Sequence, residues 1–239
     1  MLKGKTAIIT GSSRGIGKAI AEKLSQFSMK LVLTGRDISA LRETGKLCEK
    51  NGSRVHLVTA DYLNPRAPYD IVKETAGNFG TIDILINNAG TAETNAVENT
   101  SDDQWDRLLT VNAKVPFILC RESLPYLKKS SNPSIINISS VVGIKGYAKQ
   151  AVYSASKHAL MGFTKALAKE IQEYGIRVHV LSPGAVATNL VKSMRPDLDV
   201  QYLIQPEEIS EIVVFLLTHR GNAVIDEVNI RRITNTPWK

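Results

Sequence analysis

Cysteine is scarce in this chain, with only Cys48 and Cys120 among 239 residues. Both fall in stretches of helical pattern, and their spacing offers no disulfide framework, so two reduced, packed thiols are expected. His56, His158, His179 and His219 are scattered, without the close spacing a metal site requires, and no metal is expected. No apolar run approaches the length of a membrane span, and Met1 leads straight into strand-like sequence without a signal-peptide core. A cytoplasmic protein without membrane association is the expectation. Linkers rich in Pro, Gly or Ser are also missing, as are internal repeats, which points to one domain over residues 1–239. Lys and Arg outnumber Asp and Glu, 30 to 23, for a formal charge of +7. No basic stretch is interleaved with aromatics, so a solvated basic surface explains the excess better than nucleic-acid binding.

What the chain does have is alternation. Hydrophobic residues make up 43%, enough for a sizeable core. Strand-length apolar runs occur at Thr6–Thr10, Leu31–Thr34, Val55–Thr59, Ile84–Asn87, Ser134–Ser139, Arg177–Ser182 and Val224–Ile230. The first six are mostly continuous and β-branched, as in strands buried on both faces of a parallel sheet. Helical patterns lie between them at Ile16–Phe27, Ile38–Lys50, Pro65–Phe79, Asp102–Lys129, Val152–Tyr174 and Pro206–Thr218. Pro65 and Pro206 suit first helical turns, and Gly175 suits the stop after a long helix. The expected fold is α/β, a doubly wound sheet of about seven mainly parallel strands with helices on both faces.

Five places along the chain carry chemistry. The run Thr10-Gly-Ser-Ser-Arg-Gly-Ile-Gly17 sits between the first strand and the first helix. Gly11 permits the tight turn, Gly15 removes a side chain where a phosphate must approach, and Gly17 allows close packing of the helix. Glycines also serve ordinary turns, so the strand–turn–helix context is what gives the run weight. At the end of the second strand an acidic residue would favour a free ribose 2′-hydroxyl, but the chain reads Thr34-Gly35-Arg36-Asp37. Arg36 and Arg14 suit a 2′-phosphate, so NADPH is expected ahead of NADH, while Asp37 suits a helix cap. Asp61 follows the third strand and suits either an adenine amino group or a turn cap. Asn87-Asn88-Ala89-Gly90 closes the fourth strand, where small residues let a ribose lie against the backbone and the asparagines tie strand ends together. Tyr153 and Lys157 share one face of a helix, so a phenol and an ammonium point into one site, where the cation favours the phenolate. A cradle and such an acid imply redox chemistry on a carbonyl or alcohol.

Taken in order, Thr-Gly-xxx-Gly-x-Gly at 10–17, Asn-Asn-Ala-Gly at 87–90 and Tyr-xxx-Lys at 153–157 resemble the short-chain dehydrogenase/reductase family. The likeness covers roughly residues 1 to 190 and implies a Rossmann-type fold. It also implies a catalytic Ser on the strand before the Tyr helix, matched by Ser140 with Ser139 as the fallback, and an Asn in the preceding helix, matched by Asn112 in Thr110-Val-Asn-Ala. Tyr153 then protonates the carbonyl oxygen and Ser140 hydrogen-bonds it. Lys157 holds the nicotinamide ribose and lowers the Tyr153 pKa, and Asn112 steadies a water that links Lys157 to solvent. A free tyrosine titrates near pH ~10, so bringing it to neutrality takes roughly 4 kcal/mol, which a desolvated lysine and the cofactor's positive charge together could supply. The same resemblance places Ser13, Ile16, Pro183, Gly184, Val186 and Thr188 against the cofactor. It makes 189–205 a substrate lid, with Leu190, Val191, Met194 and Leu198 as apolar contacts or as core.

The resemblance fails at the carboxyl terminus. Many members end in Thr-Gly…Asp-Gly-Gly, part of a tetramer interface, whereas this chain reads Asn222-Ala-Val-Ile-Asp-Glu-Val-Asn-Ile-Arg-Arg232 and then Thr-Asn-Thr-Pro-Trp-Lys after Ile233. A homodimer through the two long helices is the safer expectation, with a homotetramer the other. The motifs are shared with 3-oxoacyl-carrier-protein reductases. A small carbonyl substrate, borne on an acidic acyl-carrier protein or on CoA, would suit the basic surface, with Lys128, Lys129 and Lys149 as docking candidates. Tyr174 stands where those reductases often carry a basic residue. A general ketone or aldehyde reductase is the alternative, and a non-catalytic dinucleotide sensor is the alternative from a different class.

Overall fold

Seven strands form one parallel sheet in the computed structural model, which describes residues 1–237 of the chain. They are β1 (Thr6–Thr10), β2 (Lys30–Gly35), β3 (Arg54–Thr59), β4 (Ile84–Asn87), β5 (Ser134–Ile138), β6 (Arg177–Pro183) and β7 (Glu227–Ile230). Their spatial order is β3-β2-β1-β4-β5-β6-β7, with every neighbouring pair parallel. The winding reverses between β1 and β4, and in such sheets a crevice opens there at the carboxyl ends of the strands. Trp238 and Lys239, the end of the divergent terminal segment, lie outside the described residues.

The helices are α1 (Gly15–Ser25), α2 (Ile38–Lys50), α3 (Ala67–Phe79), α4 (Asp102–Leu109), α5 (Val115–Leu127), α6 (Ala151–Glu170), α7 (Asn189–Met194) and α8 (Pro206–Thr218). Successive strand side chains point to opposite faces, so each buried strand feeds two cores. Ile9, Leu33, Ile86, Ile136 and Leu181 pack with α1, α2 and α8. Ile8, Val32, Leu85, Ile135 and Val178 pack with α3, α5 and α6. Each such side chain contributes about 1.5–3 kcal/mol on burial. This is why the strands read as continuous apolar runs. Cys48 and Cys120 lie in these cores as free thiols, and burial pushes them up to about 11 and about 12. Among the described residues no helix is long and apolar enough to cross a membrane.

Beyond shifts of one or two residues at element ends, four departures from the sequence reading bear on the fold. The stretch 102–129 is not one helix but α4, a π-helical turn at Thr110–Lys114, and α5. Pro116 has no N–H to give to the Asn112 carbonyl, and the Val115 N–H reaches back to Thr110 O instead of Val111 O. Helix α3 begins at Ala67 with Pro68 in its first turn; Pro65 lies before it, where Asn64 accepts from Arg66 N and Ala67 N. The stretch 152–174 ends as a helix at Glu170, followed by a 3-10 turn and then Gly175 at φ +66°. Strand β7 starts at Glu227 rather than Val224, because side chains occupy the carbonyls before it. Arg177 donates to His219 O and Gly221 O, and His179 Nδ1 donates to Ile225 O at 2.7 Å.

Candidate active site

The glycine turn is built on contact distances that leave no room for a side chain. A Cβ on Gly17 would stand 2.3 Å from Gly11 O and 2.5 Å from Asn88 Nδ2, so the start of α1 closes directly onto the turn. Gly15 has φ +57°, and a Cβ there would meet Thr188 Cγ2 at 3.0 Å. The turn is also tied to its neighbours. Asn88 Nδ2 donates to Thr10 O (2.8 Å) and Gly11 O (3.2 Å), and Thr10 Oγ1 accepts from both Asn88 N and Ala89 N at 2.9 Å. Asn87 reaches the other way, donating to Asn137 Oδ1 at 2.8 Å, which links β4 to β5. Tyr62, not singled out in the sequence, proves central: its hydroxyl accepts from Gly11 N at 3.0 Å and bonds the Thr34 hydroxyl. Burial pushes this phenol up to about 12. The only pointer to it in the sequence was its place beside Asp61.

Across the crevice, β5 and α6 present the second group. Ser140 follows β5 and caps a short 3-10 turn, its Oγ accepting from Val142 N at 3.4 Å. Lys157 is 4% exposed, its Nζ donating to Ile138 O at 2.9 Å, and burial alone brings its pKa down to about 8. Burial raises the Tyr153 phenol, with the Ser140 side-chain hydrogen bond opposing the rise. Within the protein alone, desolvation outweighs any help from the ammonium, which is itself weakened by the same burial. A protonated phenol is the form that can donate to a carbonyl oxygen. Ser139, the fallback residue, is buried; its N–H donates to Leu181 O at 2.7 Å and its Oγ has no partner among the described residues.

Asn112 lies on the π-helical turn with a fully buried side chain. Its Oδ1 accepts from Thr91 N (2.9 Å), and its Nδ2 donates to Thr91 O (2.7 Å) and Ser156 Oγ (3.0 Å). The side chain therefore clamps the segment after β4 to helix α6, one residue from Lys157. Pro116 leaves the backbone carbonyl of Asn112 without the partner an α-helix would supply. Both hydrogens of the carboxamide are committed, so its nitrogen has none left for a water, whereas that carbonyl is free to accept one.

One cleft of about 740 Å³ is lined by Gly11, Ser13, Arg14, Gly15, Ile16, Arg36, Asp61, Asn88, Ala89 and Gly90 from the turn side. Ser140, Tyr153, Lys157, Pro183, Gly184, Val186 and Thr188 line it opposite. Gly17 and Asn112 stand behind its wall. Asp61 lines the cleft while its Oδ1 accepts from Leu63 N, and Asp37 caps α2 through Ala40 N. Thr188 caps α7 through Val191 N. The segment 189–205 forms α7 and a 3-10 turn at Val200–Tyr202, and returns to the loop after β6, where Ile204 pairs with Val186 in an isolated bridge. Leu190, Val191, Met194 and Leu198 face the cleft rather than the two cores. Of the proposed docking lysines, Lys128 stacks over Tyr174 with its Nζ 3.6 Å from the ring centre. These residues fit a dinucleotide: the turn admits close approach of phosphate, and exposed Arg14 and Arg36 flank the crevice with no acid at the end of β2.

The sheet order and the cleft define a dinucleotide-binding α/β protein of the Rossmann type. The family model described as short chain dehydrogenase matches residues 5–199. The chain belongs to the short-chain dehydrogenase family of oxidoreductases. It is 34% identical over 232 residues to an uncharacterized oxidoreductase of Staphylococcus epidermidis, covering 97% of this chain and 99% of the relative. It is also 34% identical over 234 residues to the 3-oxoacyl-[acyl-carrier-protein] reductase FabG of Vibrio cholerae, covering 95% of each. Among solved structures, a metagenomic short-chain oxidoreductase in complex with NADP superposes with a TM-score of 0.85 at 31% identity, over 98% of this chain and 99% of that one.

Proposed function

We propose that this protein is an NADPH-dependent reductase of ketones, with 3-oxoacyl thioesters the first substrate class to try. The observation that carries the reading is the placement of Ser140, Tyr153 and Lys157 in one cleft with the glycine turn, Arg14 and Arg36. Bound in that cleft, a reduced nicotinamide dinucleotide supplies hydride. Arg14 and Arg36 pair with a 2′-phosphate. Ser140 hydrogen-bonds the substrate oxygen as charge develops there, and Tyr153 donates its proton to it. Lys157, which donates to Ile138 O, binds the ribose hydroxyls in this reading, with Asn112 fixing the helix that carries it. Support comes from the Vibrio reductase and from the neighbour solved with NADP.

The chain is read as one domain, cytoplasmic and homo-oligomeric, with 189–205 as the lid over the substrate. General reduction of small ketones or aldehydes is the second reading; the stacking of Lys128 on Tyr174 favours it, since that lysine is then less available to an acidic carrier. The test is NADPH and NADH oxidation with acetoacetyl-CoA and a panel of small ketones. Saturable turnover with NADPH preferred supports the proposal. Turnover only with simple ketones selects the second reading, and none with any carbonyl, despite NADPH binding, leaves a dinucleotide sensor.

A further inference from the structure

The cleft is far more cationic than a dinucleotide and a catalytic lysine require. Six basic side chains line it, Arg14, Arg36, Arg107, Lys157, Arg195 and Arg232, against a single acid, Asp61. Arg14, Arg36 and Lys157 have been accounted for. The other three come from separate parts of the chain: α4, the segment after α7, and the tail after β7. Two of them are already neutralised. Arg107 pairs with Glu93, and Arg195 holds Asp197 through two hydrogen bonds of 2.7 and 2.6 Å. Arg232 is different. Its Nη2 donates to Asn235 Oδ1 at 2.9 Å, and although its charge reaches Asp197, the carboxylate that Arg195 holds, among the described residues no carboxylate lies within ion-pair distance of it.

Arg232 is also placed and held as a recognition residue would be. A Cβ on Gly184 would stand 3.8 Å from Arg232 N, so the residue leaves the cleft wall just past β6. Asn235 N donates to Arg232 O at 3.0 Å, closing the turn. Arg231 Nη1 then ties that turn together by donating to the carbonyls of Arg232 (3.1 Å), Ile233 (3.3 Å) and Asn235 (3.0 Å). Arg232 is half-buried, as is Asn235, and both line the cleft with Tyr147 and Gln150, which lie just before Tyr153 in the chain. A guanidinium carries five N–H donors in a fixed fork, and Asn235 engages only one of its nitrogens. The matching acceptor is a carboxylate or phosphate, bound through two parallel hydrogen bonds.

We infer that Arg232, oriented by Asn235, is a specificity-determining residue that takes an anionic group on the carbonyl substrate. The inference rests on the reductase reading and narrows its substrates to carbonyl compounds bearing a carboxylate or a phosphate. The two sources of that anion are a small oxo acid and the phosphate-bearing carrier arm of a thioester.

The experiment compares kcat/KM for matched pairs in the wild type, Arg232→Gln and Arg232→Lys. One pair is 3-oxobutanoate and its methyl ester. The other is acetoacetyl-CoA and the acetoacetyl thioester of N-acetylcysteamine, which lacks phosphate. The wild type should prefer the charged member of one pair, and which pair shows the preference identifies the source. Arg232→Gln should cut the charged-to-neutral ratio about tenfold to a hundredfold, the value of a hydrogen-bonded charge, while Arg232→Lys restores part of it. A ratio near one in the wild type, or one unmoved by Arg232→Gln, overturns the inference and leaves the reductase reading standing. If no carbonyl is reduced, the reductase reading falls. Titration calorimetry then decides the anion site separately: equal binding of 3-hydroxybutanoate and its amide by the NADPH-loaded protein overturns it, and a preference for the acid that is lost in Arg232→Gln upholds it.

Discussion

Tyr62 shows how much of a dinucleotide turn can depend on one hydroxyl. It accepts from Gly11 N and bonds Thr34, so Tyr62→Phe leaves a backbone donor of the turn and a buried threonine hydroxyl unpartnered. About 1 kcal/mol is lost with such a bond, and NADPH binding should weaken roughly fivefold by fluorescence titration, with kcat little changed. Unchanged affinity would show that the turn holds its shape without Tyr62. Lys157 offers a test by pH. Its folded pKa is lowered from 10.5 to about 8, so the unfolded chain binds the extra proton between those values and stability contributed by this residue rises with pH across that window. Relative to Lys157→Met, the unliganded wild type should gain about 2 kcal/mol between pH ~7 and pH ~9.5 in urea melts. A constant difference would mean that the ammonium is not desolvated. At this scale the sequence revealed the residues whose motifs sit in order along the chain. Tyr62 and Arg232 were missed, and Thr10 was quoted without its role, because these roles arise only where β1, β2, β4, β6 and the terminal tail meet.

Most elements were legible for a simple reason. Strands buried on both faces leave continuous β-branched runs, and the helices between them keep their 3.6-residue period. The break inside 102–129 was not, since Pro116 lies two residues beyond the five-residue π turn that its missing N–H permits, and Pro125 sits within α5 without breaking it. Strand β7 was overextended because Val224 and Ile225 read as strand, whereas side chains of β6 claim the neighbouring carbonyls. The π turn sets the rotation of Asn112, and with it the clamp between Thr91 and Ser156. Pro116→Ala returns an N–H to the Asn112 carbonyl and favours a regular helix. The expected result is a Tm equal to or above that of the wild type with kcat reduced about tenfold, the trade-off expected where an irregular element serves a site. Full activity with a raised Tm would separate the π turn from catalysis.

The whole molecule leaves aromatic surface on the same helices that frame the site. Phe117 on α5 is 44% exposed, with its ring edge-on to Phe163 of α6 at 5.5 Å. A pair of copies packed through this face would cover it. Light scattering should give a dimer or tetramer, and Phe117→Glu should shift it to a folded monomer at micromolar concentration, because burying a carboxylate in an apolar interface costs several kcal/mol. A monomeric wild type would remove this face as an interface. The sequence suggested oligomers through these helices, but it did not show which side chains the fold leaves uncovered.

The central claim is that the cleft uses the Tyr153 hydroxyl to protonate a carbonyl oxygen. Its most direct test is a single-turnover experiment with stoichiometric NADPH and a reducible 3-oxoacyl thioester, comparing the wild type with Tyr153→Phe. Loss of hydride transfer by about three orders of magnitude, with the NADPH dissociation constant within about threefold of wild type, is the predicted result. Hydride transfer at an undiminished rate in Tyr153→Phe would contradict it.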